Sequence, residues 1–260
     1  KDQHFFLYLP FCIPHAELTV PQDSMAPYLK LNWPETPRIE GTGNIGGGRK
    51  DAGYGSQYRT GYCGQSYPNA AYAGMISRMD RNIGRILDLL DELKLSENTL
   101  VIFSSDNGPS AEGGQSLEFF KSAGPLSGAK RSWREGGIRV PTIARWSGRI
   151  EPGRTSDHPS AFWDFLPTVC EVAGVEPPED IDGISYLPEL LGQTKAQRKH
   201  DYLYWPGAIR VGKWKLHRHG KDRFALYDLE HDIAEKNDLA GKFPELVTRY
   251  RRYFDEARKR

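Results

Sequence analysis

The sequence predicts an α/β fold with a small antiparallel sheet and one helix appended at the carboxy end. Three observations carry that expectation. Residues 70–95 place Tyr72, Met75, Ile76, Met79, Ile83, Ile86, Leu87, Leu90 and Leu93 at intervals of three and four, with Asp80, Arg81, Arg85 and Asp88 off that stripe. This is the signature of an amphipathic helix. A short turn, Ser96-Glu97-Asn98-Thr99, then leads into the apolar run Leu100-Val101-Ile102-Phe103, and helix, turn and strand in that order make half of a βαβ unit. Beyond Gly192 the texture changes to short alternating runs around turn residues, the pattern of antiparallel hairpins.

Taken in order, Phe5-Phe6-Leu7-Tyr8-Leu9 has the composition of a core strand and follows Lys1-Asp2-Gln3-His4 with no initiating Met, cap or leader. The expectation is a chain that begins inside a domain. Residues 10–40 are rich in Pro and aromatics and 41–64 in Gly without a sustained period, so both read as surface loops. Residues 100–103, wholly apolar and bounded by turn signals, read as a buried strand of a parallel sheet, which Thr142-Ile143-Ala144-Arg145-Trp146 would join. Ser160 could cap a helix running to Ala173 and closed by Gly174, with Pro167 as a point of breakage. Residues 208–211 and 214–217 flank Gly212-Lys213 as a hairpin, 226–229 resembles a third strand, and 244–258 a terminal helix. The expected division is residues 1–192 as part of an α/β domain and 193–260 as an α+β subdomain, without internal repeats.

Composition narrows the function classes. At 260 residues the chain can build a sizeable core without disulfide staples. Thirty-five basic and thirty-four acidic residues leave the net charge at +1, and no basic block or aromatic-basic stripe suggests a nucleic-acid partner. No apolar run reaches the length of a membrane-spanning helix. Cys12, Cys63 and Cys170 are odd in number and far apart, which indicates neither a disulfide framework nor a zinc cluster.

The apolar run at 100–103 stops at Ser104-Ser105-Asp106-Asn107-Gly108-Pro109. Ligands gather at the carboxyl ends of strands in α/β sheets, and Asp106 and Asn107 offer a carboxylate and a carbonyl oxygen, the hard donors that Ca²⁺ or Mg²⁺ prefers. Asn-Gly after an apolar run is equally the commonest hairpin turn, although Pro109-Ser110-Ala111-Glu112-Gly113-Gly114 does not read as a returning strand.

Three separated segments, in order, resemble the sulfatase family of the alkaline-phosphatase-like fold, which implies a mixed sheet flanked by helices. The first is Phe5-Phe6-Leu7-Tyr8-Leu9 followed by Pro14-His15, the second Phe103 to Gly108, and the third Gly128-Ala129-Lys130-Arg131-Ser132-Trp133-Arg134-Glu135-Gly136-Gly137-Ile138-Arg139-Val140-Pro141. The last is similar to the family's lysine loop running into Glu-Gly-Gly and Arg-x-Pro. Weaker echoes follow at Asp164-Phe165-Leu166-Pro167-Thr168, Asp182-Gly183-Ile184-Ser185, Arg210 to Lys215 and Leu226-Tyr227-Asp228-Leu229. The subgroup resembled is that of bacterial arylsulfatases acting on sulfated sugars, of the arylsulfatase A and N-acetylgalactosamine-6-sulfatase type.

The resemblance implies a sulfuric ester hydrolase acting on a sulfated small molecule or carbohydrate, with Asp106 and Asn107 on Ca²⁺. Lys130 would contact the sulfate and its bridging oxygen, and His15 would bind sulfate and help protonate the leaving alcohol. Without the family context, Lys130 reads as a solvated loop lysine and His15 as a capping or core histidine. Glu135, Gly136, Gly137 and Arg139 read as scaffolding, glycine allowing a tight turn and an Arg-Glu contact fixing the loop. Trp33, Tyr54, Tyr58, Trp163 and Trp205 could stack on a sugar, but loop aromatics more often fill local packing. Sulfatases use a formylglycine made within Cys/Ser-x-Pro-x-Arg, a signature this sequence lacks; Cys12-Ile13-Pro14 continues as His15-Ala16. The formylglycine and the family's paired aspartates are expected upstream of Lys1, so the isolated chain should be inactive. The alternatives are a phosphoester hydrolase of the same superfamily and a non-catalytic sulfate- or sugar-binding relative. By analogy with the family, the location is periplasmic or extracellular.

Overall fold

The computed structural model describes residues 3–38, 64–220 and 222–257. The Gly-rich stretch 41–64, with Tyr54, Tyr58 and Cys63, lies outside them except for Gly64. The chain divides into two compact units, one of Lys1–Leu93 with Pro109–Ser122, the other of Lys94–Gly108 with Ala123–Arg260.

The first unit is built on α1 (Gln22–Leu29) and α2 (Pro68–Glu92). The amphipathic stripe predicted α2 to within a few residues, and its start has a local cause. Pro68 needs no partner for an N–H, and the next two amides, of Asn69 and Ala70, donate to the Glu35 carboxylate at 2.8 Å each. A carboxylate on the unsatisfied N–H groups of a helix start satisfies both valence and dipole. The α1 segment was expected as loop, because two turns containing Pro27 show no readable period. It forms against α2, where a Cβ on Gly74 would lie 2.8 Å from the Ser24 carbonyl oxygen; glycine lets the two backbones meet. Leu18, Ala71 and Met75 are buried there, with Ile13, Val20, Met25 and Tyr72 around them.

Nearby, α3 (Leu117–Phe120) is capped by Ser116, whose hydroxyl accepts from the Phe119 amide. Phe119 and Phe120 pack on Trp33, so this tryptophan fills local structure. Residues 5–9 correct an expectation. They belong to none of the strands among the described residues and their side chains are 46–74% exposed. An apolar run becomes a strand only where another strand takes its backbone groups.

In the second unit, β1 (Val101–Ser104) pairs with β2 (Thr142–Arg145) from Val101↔Arg145 to Ser104↔Thr142. Both strands were expected, but the neighbour of β1 runs antiparallel, not parallel. An apolar run reports that both faces are covered and says nothing of the partner's direction. Between them lies α4 (Glu135–Ile138). Past a 3₁₀ turn at Phe162–Asp164, α5 (Phe165–Ala173) ends at Gly174 with φ 69°, as expected. Pro167 does not break it, because it is the third helical residue, where its missing N–H has no helical acceptor to serve. The Asp164 carboxylate accepts from Ala161 N–H at 2.7 Å, Ile184 N–H at 2.8 Å and the His200 ring at 2.7 Å. It therefore ties the start of α5 to the loop before α6 (Leu187–Leu190) and to the loop after it.

The carboxy-terminal sheet is a meander of β3 (Leu203–Trp205), β4 (Ala208–Val211), β5 (Trp214–Arg218) and β6 (Phe224–Asp228), antiparallel throughout. The short β3 was not anticipated. Register Ile209↔Leu216 and Leu216↔Leu226 puts three apolar side chains on one face, where Tyr250 and Phe254 of α7 (Pro244–Ala257) cover them. The alternation of strand side chains sends Arg210, Lys215, His217 and Tyr227 to the other face.

Two substitutions test this packing in opposite directions. Gly84→Ala, inside α2 with open space at its Cα, should raise stability by about 0.5–1 kcal/mol, whereas Leu216→Ala, fully buried, should lower it by about 2–5 kcal/mol. Urea unfolding measures both, and a destabilising Gly84→Ala would refute the helix placement.

Candidate functional site

The second unit carries three of the four sequence-predicted site residues on one backbone stack. At the end of β1 the chain bends at Asp106 and Asn107, and the Gly108 amide donates to the Gly137 carbonyl at 2.9 Å. The Gly136 amide in turn donates to the Ser127 carbonyl at 2.7 Å. These approaches require glycine: a Cβ on Gly108 would overlap the Gly136 carbonyl, and one on Gly137 would overlap Ser132. The Asp-Asn-Gly turn thus lies on the Glu-Gly-Gly turn, which lies on the lysine loop.

Asn107-Gly108 does not make a hairpin, since β1 pairs with the distant β2 and Gly108 has no left-handed φ. Asp106 is exposed and Asn107 half-buried. The Asn107 amide nitrogen donates to Gly108 O at 2.8 Å, which leaves Oδ1 as the side-chain atom suited to a cation. Ser132 N–H donates to Ala129 O at 2.9 Å, closing a turn with Lys130 and Arg131 at its corners; Arg131 has φ 73°. Lys130 is half-buried at that corner.

The fourth residue, His15, belongs to the first unit. Its Nδ1 lies 2.5 Å from Ala16 O and its Nε2 3.7 Å from Glu112 Oε2, with the side chain 43% exposed. A carbonyl oxygen only accepts, so Nδ1 carries its hydrogen and donates it to Ala16 O.

Behind the lysine loop, four ionisable groups are buried together. Lys215 Nζ, with no exposed surface, donates to Glu135 Oε1 at 2.7 Å and lies 3.4 Å from Glu235 Oε1. His217 Nε2 is 2.6 Å from the same Glu235 oxygen. Glu235 Oε2 accepts from the Glu135 amide at 2.7 Å, and the Arg139 and Arg210 guanidinium groups stand 3.8 Å from Glu135 Oε2. The expected Arg139–Glu135 contact therefore exists, but Lys215 is the shorter partner. Sequence reasoning missed Lys215, His217 and Glu235; the available signal was Lys215 and His217 at alternate positions of a strand, interleaved with the apolar Trp214 and Leu216.

Burial pushes the Glu235 carboxyl up, but the His217 hydrogen bond, the Lys215 charge and the Glu135 amide outweigh it and hold the pKa below its ordinary 4.5. Burial, with Asp164 nearby, pushes the Tyr186 phenol up to about 12.

Among the described residues, one group of three acidic or imidazole side chains brings its ligand atoms within 4.8 Å of one another: Asp228, Glu230 and His231. Lys213 already holds the two acids, at 2.8 and 3.3 Å, so a cation of the protein itself is seated at this cluster.

Two expectations follow. Gly108→Ala should destabilise by about 1–3 kcal/mol or more, because neither backbone can yield, a cost read as a lower urea midpoint. The depressed Glu235 pKa means that on acidification the unfolded chain takes up this proton first. The stability it contributes is complete above pH 4.5 and is lost as the pH falls through the lower folded value. Glu235→Gln should flatten that part of the pH–stability curve, and an unchanged acid limb would refute the coupling.

The family described as Sulfatase matches residues 1–175, and the family described as N-sulphoglucosamine sulphohydrolase, C-terminal, matches residues 129–258. The chain is 38% identical over 157 residues to N-acetylgalactosamine-6-sulfatase of Canis lupus familiaris, covering 56% of this chain and 28% of that protein. It is 41% identical over 141 residues to steryl-sulfatase of Homo sapiens, covering 52% and 24%. Among solved structures, Ps i-CgsB in complex with k-i-k-neocarrahexaose superposes with a TM-score of 0.72 at 25% identity, over 98% of this chain and 50% of that one. The chain thus spans about a quarter of the length of these two curated relatives. With one family match covering more than half of its residues, over an α/β fold of the alkaline-phosphatase type, the chain belongs to the sulfatase family.

Proposed function

We propose that the protein is a sulfuric ester hydrolase acting on a sulfated carbohydrate, and that this chain supplies part of its site. The observation that carries the reading is the glycine stack, which holds Asp106, Asn107 and Lys130 on one framework through Gly108, Gly136 and Gly137. An acid, an amide oxygen and a compact cation carried on one framework suit an ester bearing several anionic oxygens.

The donor set fits a hard divalent cation: the Asp106 carboxylate is exposed, and the neighbouring Asn107 presents Oδ1 because its amide nitrogen is tied to Gly108 O. They would hold Ca²⁺, whose charge, when bound, neutralises the non-bridging oxygens of sulfate. Two ligands fall short of the 6–8 oxygens that Ca²⁺ takes, so the remaining donors come from elsewhere in the protein or from solvent.

Lys130 hydrogen-bonds the sulfate oxygens and the bridging oxygen, where negative charge develops as the ester bond breaks. For His15, in the other unit, the family resemblance implies protonation of the leaving alcohol. No residue here fits the formylglycine: Cys/Ser-x-Pro-x-Arg does not occur in the sequence, and Cys12 lies exposed within Cys12-Ile13-Pro14-His15-Ala16. The attacking oxygen is therefore assigned to none of these residues, and the 260 residues alone are expected to be inactive.

A carbohydrate substrate is supported by the names of the N-acetylgalactosamine-6-sulfatase relative and of the sugar held by Ps i-CgsB; a steryl sulfate is the rival that the steryl-sulfatase relative raises. An exported location fits a glycan substrate, and no helix among the described residues is long and apolar enough to cross a membrane.

The test is hydrolysis of aryl sulfate against aryl phosphate, and of sulfated galactosamine against steryl sulfate, by the intact protein. Sulfate should be the better ester and the sugar the better alcohol. Lys130→Ala should cost about 10²–10³ in kcat, and chelation should remove activity that Ca²⁺ restores. A faster phosphate reaction, or a Lys130→Ala variant with unchanged kcat, would sink the reading.

A further inference from the structure

One buried carboxylate grips both ends of the loop that carries Lys130. Glu235 lies in the turn after β6, 1% exposed. Its Oε2 accepts from the Glu135 amide at 2.7 Å and is 3.5 Å from the Ser127 hydroxyl. Its main-chain carbonyl accepts from the Arg134 guanidinium at 2.7 Å, and that guanidinium reaches Ser127 Oγ at 3.3 Å. Ser127 and Glu135 bracket residues 128–134, so the loop leaves and returns to the same anchor. Ser127 also holds Gly136, and Gly137 holds Gly108; the geometry of the Asp106-Asn107 turn therefore passes through this anchor too.

The anchor is itself immobilised. Lys215 and His217, adjacent on one face of β5, neutralise and orient the Glu235 carboxylate at 3.4 and 2.6 Å, while Leu216 between them is locked in the core under α7. Glu235 keeps a left-handed φ of 54°, a conformation that a non-glycine residue holds only where its surroundings over-determine it.

We propose that Glu235 is a positioning residue: through Ser127, Arg134 and Glu135 it sets the turn that presents Lys130, and so couples the carboxy-terminal sheet to the reacting ester. This rests on the sulfatase reading for its kinetic consequence, but not for the clamp itself. A displacement of the order of 1 Å in a positioned group can cost about 10²-fold in rate, and loss of the carboxylate frees both ends of the loop at once.

The experiment compares Glu235→Ala, the milder Ser127→Ala, the near-isosteric Glu235→Gln and Leu226→Ala in the intact protein. Leu226→Ala destabilises the same sheet from its opposite face. Hydrogen exchange of the amides of residues 128–134 is read alongside kcat and KM on an aryl sulfate. Glu235→Ala should raise exchange in 128–134 and lower kcat by about 10- to 100-fold with KM within about threefold. Ser127→Ala should move both in the same direction by less. Glu235→Gln keeps an acceptor for the Glu135 amide and should recover most of kcat, and Leu226→Ala should leave kcat per folded molecule unchanged. The proposal is overturned if Glu235→Ala and Ser127→Ala match Leu226→Ala in both readouts. Should the unaltered protein hydrolyse no sulfate ester, the sulfatase reading fails, and loop exchange alone then supports or overturns the clamp.

Discussion

The second unit depends on the burial of the Lys215 ammonium between two carboxylates. Taking such groups out of water costs several kcal/mol per ion even after relaxation, and the cost is offset only if nearly every polar atom finds a partner. Here Glu135 Oε1, Glu235 Oε1 and Glu235 Oε2 each have a donor within 2.7 Å, while Glu135 Oε2 is met by two guanidinium groups at 3.8 Å. An apolar set of equal volume would fill this space at lower cost. It could not hold a backbone amide or a loop hydroxyl, so the network is better understood as defining the loop's geometry than as adding to stability.

Strand alternation connects this network to the core. Lys215 and His217 face the carboxylates, and Leu216 faces Ile209, Leu226 and α7. A slip of one residue in the β4–β5 pairing would bury the ammonium among apolar side chains and expose the leucine. The two-residue Gly212-Lys213 turn, with Gly212 at φ 55°, forbids that slip. The same register decides whether the core forms and whether Glu135 meets its lysine, so the carboxy-terminal sheet cannot fold correctly and leave the loop 127–135 undefined.

What could be read in the sequence was periodic or punctuated. The stripe of Met75, Met79, Ile83 and Ile86 marked α2, Gly212-Lys213 marked the hairpin, and Gly174 marked the end of α5. What escaped was set by contacts distant in sequence. The helix α1 is too short to show a period and depends on Gly74, the direction of β2 relative to β1 is invisible in an apolar run, and residues 5–9 have strand composition but lie in none of the strands among the described residues. The candidate residues Asp106, Asn107, Lys130 and His15 were found through resemblance, because no local pattern separates a functional lysine from a solvated one. The anchor Glu235 lay beyond either route: it stands 100 residues from Glu135, and an isolated glutamate in a loop carries no signal of burial.

The division between groups that hold the site and groups that would use it has a physical basis. A charge already satisfied by protein partners in a dry interior has little left to offer a ligand, and Glu135, Lys215 and Glu235 are of that kind. Asp106 is exposed, Asn107 presents Oδ1 because its nitrogen is tied to Gly108, and Lys130 stands at the corner of a turn. The turns that carry them are fixed through backbone hydrogen bonds at Gly108, Gly136 and Ser132. Glycines that allow main-chain atoms to touch give these turns a closely packed frame, on which Asp106 stays exposed and Asn107 and Lys130 stay partly solvated.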